Sequence, residues 1–358
     1  MVSLWRDRAA YGRAFGRLMA SMLWLAVVLL ILAAVSPWLA GLPWPQAQRA
    51  WLTVLDNLRL PIATVAVSVA VASLLLWRGR LVVAACFAVA LCGLPVVASI
   101  QGWTPVAAET PQLKVVTFNI WVRNRQLDRI LTYLREEQPD IVFLEEVTEA
   151  QKQAFAALSD LYPTQVTCHH STSDCETMLL SRFPARSQRS GRINGAPPST
   201  AIAELDIDGR ILTAVAVHVI WPFPFRDRDA QREQVLHLVE SLDAFDGPLL
   251  IGGDFNGGAW VRNQRDFRER TGLTGEPGYH PTWPALPING LDVPQWLRLP
   301  IDHVFSRGGP IVHRGGGRPR ARLGSSAVGG DGRLAACSNG GGAMIRLYHC
   351  MPDIPPTR

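Results

Sequence analysis

Gly252-Gly253-Asp254-Phe255-Asn256 follows an apolar run, Pro248 to Ile251, and leads into Gly257-Gly258. On an extended segment Asp254 and Asn256, two residues apart, point their side chains the same way. A carboxylate beside an amide is a hard-oxygen pair for a divalent metal or a phosphate. The flanking glycines let the backbone turn sharply and come close to a ligand. An Asx-turn after a strand is the plainer reading of the same letters, so the stretch takes its meaning from its company. That company is a set of polar residues where other apolar runs end: Asn119, Glu146, His218 and Asp302.

The runs that carry them read as strands. Lys114 to Asn119, Ile141 to Leu144, Met178 to Ser181, Ala201 to Ile207, Ile211 to His218 and Pro300 to Phe305 have strand length and strand composition. Between the first two, Leu127, Ile130, Leu131 and Leu134 recur at helical spacing, and the helix ends near Gln138-Pro139. A second helix, Ala230 to Leu242, shows Val235, Leu238, Val239 and Leu242 on one face. Alternation along the second strand sends Glu145 and Glu146 opposite ways.

Thr117-Phe118-Asn119, Leu144-Glu145-Glu146-Val147, Leu180-Ser181-Arg182-Phe183-Pro184, His218, Gly253-Asp254-Phe255-Asn256 and Ile301-Asp302-His303-Val304-Phe305 follow one another in that order. Together they resemble the successive signatures of the endonuclease/exonuclease/phosphatase superfamily, over about residues 113–305. The resemblance implies a four-layered α/β/β/α sandwich with a metal site at one edge. It implies that Glu146, helped by Asn119, holds Mg²⁺ or Mn²⁺, and that His218 donates to a phosphate oxygen. Asp254 and Asn256 would position the attacking water and the phosphoryl group, and Asp302 would orient a general-base histidine. Hydrolysis at phosphorus needs this division of labour, because the phosphoryl oxygens must be neutralised while a water is aimed in line. Glu145 is read as a supporting or surface residue, and His303, alternating away from Asp302, as structural.

The pattern breaks at its end. The family closes with Ser-Asp-His, and this chain contains no such tripeptide. After Phe305 the text becomes Gly, Arg, Ala and Ser with little periodicity, and residues 306–358 read as a disordered or frameshifted tail. One permitted coding of Arg322 to Gly330, read one base later, yields Gly-Ser-Asp-His-Arg-Pro-Ser-Val-Val, which places a shift between about Phe305 and Arg322. As written, the chain lacks the histidine for Asp302 and leaves a sheet edge without its last strand.

The N-terminal third is of another kind. No charged residue occurs from Leu18 to Gln48, from Leu60 to Trp77, or from Leu81 to Ala108. Spans of about 18 to 24 apolar residues cross a hydrocarbon core of about 30 Å. Three are expected: Met19 to Leu42, Leu60 to Trp77 and Leu81 to Ile100. A cleaved signal peptide is the rival for the first, but its apolar stretch is long and two more follow. Arg6, Arg8, Arg13 and Arg17 before the first span, and Arg78 and Arg80 between the other two, place those segments in the cytoplasm. Three crossings then put the domain outside, behind a linker at 101–112. A membrane-anchored branch of the same superfamily, with some members linked to glycopeptide resistance, is similar in this arrangement.

Charge and cysteines bear on partners and compartment. Residues 111–305 carry 19 Lys/Arg against 25 Asp/Glu, and this acidic balance weighs against a nucleic-acid surface. Cys168 and Cys175 flank a polar loop that a disulfide would close, as an exported domain permits. A zinc site using them with His169 and His170 fits no usual spacing. The expected function is therefore a membrane-anchored, outward-facing phosphoesterase acting on a phosphate ester or pyrophosphate. The aromatic loop Trp221-Pro222-Phe223-Pro224-Phe225, shortly after His218, points to lipid-linked substrates if it meets lipid, or is a rigid connection packed on the domain. The alternatives are an extracellular nuclease or phosphodiesterase, and a truncated, inactive protein that binds phosphate without turnover.

Overall fold

The computed structural model describes residues 2–39, 41–75, 79–100, 113–168, 176–225, 228–275, 279–284, 291–308 and 346–348. It divides into two units, one of Met1–Ile100 with Phe223–Asp229 and Trp260–Arg262, the other of the remaining residues. The linker expected at 101–112, and most of the tail, lie outside the described residues.

The first unit contains α1 (Val2–Leu39), α2 (Gln46–Asn57), α3 (Arg59–Leu75) and α4 (Gly79–Ile100). Two helical segments are long and apolar enough to cross a membrane, Gly16–Ser36 and Gly79–Ser99. They correspond to the first and third expected spans. The expected middle span is instead one arm of a bent pair, since α2 and α3 meet at 61° and qualify only together, as a broken span or a re-entrant loop. Leu18, Leu25, Leu29 and Leu32 point outward from α1 while Val27 and Ala34 are buried. Water-soluble helices show the opposite pattern. Small residues, among them Ala66 of α3 and Ala85 and Ala88 of α4, let the helices approach closely around Val27.

At the α2–α3 break sits a buried ion pair, with Arg59 Nε donating to Asp56 Oδ1 at 2.5 Å. Arg59 Nη1 also donates to the Leu91 carbonyl at 2.9 Å, and its guanidinium lies over the Trp38 ring. Asp56 Oδ2 accepts from the Arg262 amide, and its carbonyl from the Trp260 indole, both at 2.9 Å. One carboxylate and one guanidinium thus join α1, α3, α4 and the 260–262 loop.

The second unit is the expected sandwich. Its elements are β1 (Lys114–Asn119), α5 (Leu127–Glu137), β2 (Ile141–Glu145), α6 (Glu149–Phe155), β3 (Thr164–Thr167), β4 (Met178–Ser181), β5 (Ala185–Arg192), β6 (Ser199–Ile207), β7 (Arg210–His218), α7 (Ala230–Leu242), β8 (Leu249–Asp254), α8 (Arg262–Thr271), β9 (Thr274–Gly275), β10 (Asp302–Arg307) and β11 (Arg346–Tyr348). One sheet runs β11-β1-β2-β4-β3, the other β5-β6-β7-β8-β10-β9. Between them Val115, Ile141, Phe143 and Leu179 meet Ala203, Ala214, Ala216, Leu250 and Val304. The alternate residues Val116, Phe118, Val142 and Leu144 face Ile130 and Leu134 of α5. On the far side Val215, Val217 and Ile251 face Val235, Leu238 and Leu242 of α7 and Phe267 of α8. Both faces of the central strands are covered, which is why they read as unbroken apolar runs.

Two corrections concern the end of the domain. β10 continues through Ser306 and Arg307, with Arg307 Nη1 donating to the Thr271 carbonyl at 2.9 Å. The edge of β1, expected to lack a partner, is paired in parallel with Arg346–Tyr348. The edge is covered because three tail residues supply the backbone groups β1 requires.

Candidate active site

Register gathers the polar residues. Asn119 lies opposite Glu145 at the ends of β1 and β2, His218 beside Asp254 at the ends of β7 and β8, and Asp302 opposite Asp254 where β10 begins. The two sheets are joined there by one amide: Asn119 Nδ2 donates to Glu146 Oε1 at 2.8 Å and to Asp254 Oδ2 at 3.3 Å. Its Oδ1 accepts from the Trp121 amide at 3.0 Å, which fixes its orientation. All six expected residues come to this end of the sandwich.

Asp254 and Asn256 do not sit on one extended segment. β8 ends at Asp254, and Asn256 has φ 48°, so the Asx-turn is present, with the Asn256 amide donating to Asp254 Oδ1 at 2.8 Å. The turn sends Asn256 Nδ2 to the Val219 carbonyl at 2.8 Å and within 3.4 Å of His218 Nε2. The glycines also serve a purpose other than ligand approach. A Cβ on Gly252 would lie 2.2 Å from the Phe143 ring, and one on Gly253 1.8 Å from the Val217 carbonyl oxygen. Both are needed for sheets and strands to close.

Of the two readings of Glu145, supporting or surface, the structure leaves the supporting one. It is entirely buried, and its neighbour Glu146 leaves the strand with φ 57°, so simple alternation does not separate the two. Burial pushes the Glu145 carboxyl well above the ordinary carboxylate range, and the Asp302 and Asp254 charges add to this. The Thr117 hydroxyl, donating to Oε1 at 3.2 Å, offsets part of it. Oε2 has no hydrogen-bond partner among the described residues. Asp254 is pushed up in the same way, first by burial and then by Asp302, against the Asn256 amide and Asn119. Four carboxylates, Glu145 and Glu146 from the end of β2 and Asp254 and Asp302 from the β8–β10 pair, therefore come together between the two sheets, and they are hard oxygen donors of the kind a divalent cation takes. Among the described residues no three Asp, Glu, His or Cys side chains form a ready ligand group, so an amide and substrate or water would have to complete the shell.

His218 is mostly buried and its pKa is lowered by that burial, with Glu146 acting in the opposite sense. Its Nδ1 lies 3.8 Å from Glu176 Oε2, a partner with no sequence signal. Asp302 is set by Thr282, whose hydroxyl oxygen accepts from the Ile301 and Asp302 amides at 3.1 and 3.4 Å. Gln231 ties the adjoining loops, donating to the Ile220 and Asn256 carbonyls, each at 3.0 Å. His303 turns away as expected: its Nε2 meets the Gly257 carbonyl at 2.7 Å and its ring stacks on Phe305. In the aromatic loop Trp221 packs edge-on against Trp283 at 5.5 Å. Cys168 is disulfide-bonded, while Cys175, its expected partner, lies outside the described residues.

Among solved structures, sphingomyelinase C from Streptomyces griseocarneus is similar at 18% identity and TM-score 0.44, over 55% of this chain and 84% of that one. Beta toxin from Staphylococcus aureus is similar at 15% identity and TM-score 0.44, over 56% and 87%. TDP2 of D. rerio, in complex with a single-strand DNA product, is similar at 18% identity and TM-score 0.44, over 55% and 83%. No curated protein matches the sequence. The model of the Endonuclease/Exonuclease/phosphatase family matches residues 116–326, more than half of the chain and all six strand-end residues, and the chain belongs to that family.

Proposed function

We propose that the protein is a membrane-anchored, divalent-metal-dependent phosphoesterase. The observation that carries this reading is the Asn119 amide bridging Glu146 and Asp254, with Asp302 opposite Asp254. Glu146 and Asn119 would hold Mg²⁺ or Mn²⁺, which when bound neutralises phosphoryl charge. His218, close to Asn256, is placed to donate to a phosphate oxygen. Asp254 and Asn256 position water and phosphoryl group, and the acidic character of Asp302 serves to orient a base. The basic residues before the first span favour a cytoplasmic N-terminus and an extracytoplasmic domain in the cell membrane. The substrate class that fits is a phosphate ester or pyrophosphate, lipid-linked because the chain is held at a bilayer.

The test uses full-length protein in detergent with Mg²⁺, bis-p-nitrophenyl phosphate, p-nitrophenyl phosphate and a polyprenyl pyrophosphate. Turnover that disappears in Asp254→Ala and in chelator supports the proposal. Absence of turnover, both from the chain as written and from one restored to Ser-Asp-His, rejects it.

One observation favours a second reading, the inactive phosphate binder: no Ser-Asp-His occurs in the sequence. Loss of a general base lowers rates by roughly 10² to 10⁴. A restored chain that turns over while the written one only binds phosphate would select this reading for the written chain.

A further inference from the structure

α2 is inverted with respect to water. It buries Ala50, Thr53, Asp56 and Asn57, and it turns Trp51 outward at 53% exposure, with Leu52 and Leu55 half-buried on the same side. A helix facing water would bury the second set and expose the first. The same inversion marks α1, whose outward leucines are those of a membrane span. On both helices large apolar side chains thus face outward.

The residues around it have the chemistry of a bilayer boundary. Trp38 and Trp44 are also exposed, at 52% and 43%, just before α2. Indole rings, apolar with one polar N–H, concentrate at the headgroup level. Trp51 meets Phe223 edge-on at 5.8 Å, and Phe223 and Phe225 are themselves exposed. With 12 residues α2 is about 18 Å long, too short to cross a core of about 30 Å. The Asp56–Arg59 pair at its end is costly at the bilayer centre and tolerable near the headgroups.

We propose that α2 lies in the plane of the membrane interface, with Trp44, Trp51 and Leu55 in the boundary between headgroups and acyl chains. Phe223 and Phe225 share that footing, and the partner is the lipid surface itself. α3, 17 residues and about 25 Å long, is then the arm of the pair that enters the hydrocarbon core. The inference goes beyond the catalytic reading and uses none of its residues.

The test reads depth in the full-length protein reconstituted in vesicles of phosphatidylcholine and phosphatidylglycerol. Trp51→trifluoromethylphenylalanine, Leu55→trifluoromethylphenylalanine and Phe223→trifluoromethylphenylalanine are compared with the same replacement at Val67, a reference in the middle of α3. Fluorine relaxation by dissolved oxygen and by an aqueous nickel chelate gives the depth of each probe. Positions 51, 55 and 223 are expected about 5–10 Å into the boundary layer, shallower than 67. Probes at 51 and 55 as deep as 67 would overturn the proposal in favour of a re-entrant pair. Full access of the nickel chelate to 51 and 55 would overturn it in favour of a helix standing in water. Replacement of Trp51 by another aromatic keeps a ring at that outward position, so that site decides even where position 55 disturbs folding.

Discussion

Asp302 stands directly opposite Asp254 in the antiparallel β8–β10 register, so two carboxylates from distant parts of the chain share one strand edge. Burial pushes the Asp254 carboxyl well above the ordinary range, and the Asp302 charge adds to this. In a chain restored to Ser-Asp-His, Asp302→Asn is expected to lower turnover by roughly 10²-fold or more, and in either chain to raise unfolding free energy in chelator by about 1 kcal/mol through relief of repulsion. Kinetics and denaturant unfolding of the same preparation check both signs.

Glu145 supplies a pH dependence. Its folded carboxyl titrates well above the ordinary value, so between about pH 4 and its raised value the native state holds a proton that the unfolded chain has released. Its contribution to stability is fully present below the unfolded value and is lost as pH rises through the folded one. In chelator, stability should fall with rising pH by at most about 1.4 kcal/mol per pH unit for this proton. Glu145→Gln should flatten that slope; an unchanged slope between pH 4 and 9 would exclude Glu145 as its source.

Divalent cation should act against the same repulsion. At about 100-fold excess over its dissociation constant, Mg²⁺ is expected to stabilise the folded protein by about 2.7 kcal/mol. Glu146→Gln or Asn119→Ala should remove most of that gain in a thermal melt with and without chelator.

Gly253→Ala should destabilise by about 3 kcal/mol or more, because its Cβ would meet the Val217 carbonyl oxygen and φ is +151°. Gly252→Ala meets only the Phe143 ring, a side chain that can be trimmed. Adding Phe143→Leu should recover part of its loss, whereas no side-chain change should rescue Gly253→Ala. Urea unfolding of these three variants separates the cases.

Asp56→Ala leaves Arg59 buried without its carboxylate and should destabilise by about 3–5 kcal/mol. Pairing it with Arg59→Met should restore most of this, as measured by thermal unfolding in detergent.

The sandwich was legible because its central strands are covered on both faces and therefore apolar throughout. β5, Ala-Arg-Ser-Gln-Arg-Ser-Gly-Arg, is an exposed edge strand held by backbone pairing, and such a strand writes no alternation. α8, with only Phe267 as a buried large apolar side chain, is equally silent. α6 had a signal, the capping box of Thr148 and Gln151. The six strand-end residues followed from their types and order, but Glu145 did not, since the left-handed turn at Glu146 that overrides alternation has no letter of its own. α2 is hidden because it turns Trp51 outward and buries Thr53, Asp56 and Asn57, so the usual sense of amphipathicity misleads.

The hydrogen bonds from the Trp260 indole and the Arg262 amide to Asp56 carry a further consequence. A stretch only four residues past the Asn256 turn is stitched to the end of α2, so the border of the first unit in space is not its border along the chain. A soluble fragment cut near residue 112 would strip that stitching and bare an indole that is wholly covered. The N-terminal helices and the 260–262 loop are, in this sense, one inherited part, and a gene fusion that exchanged the helices would have to carry that loop with them.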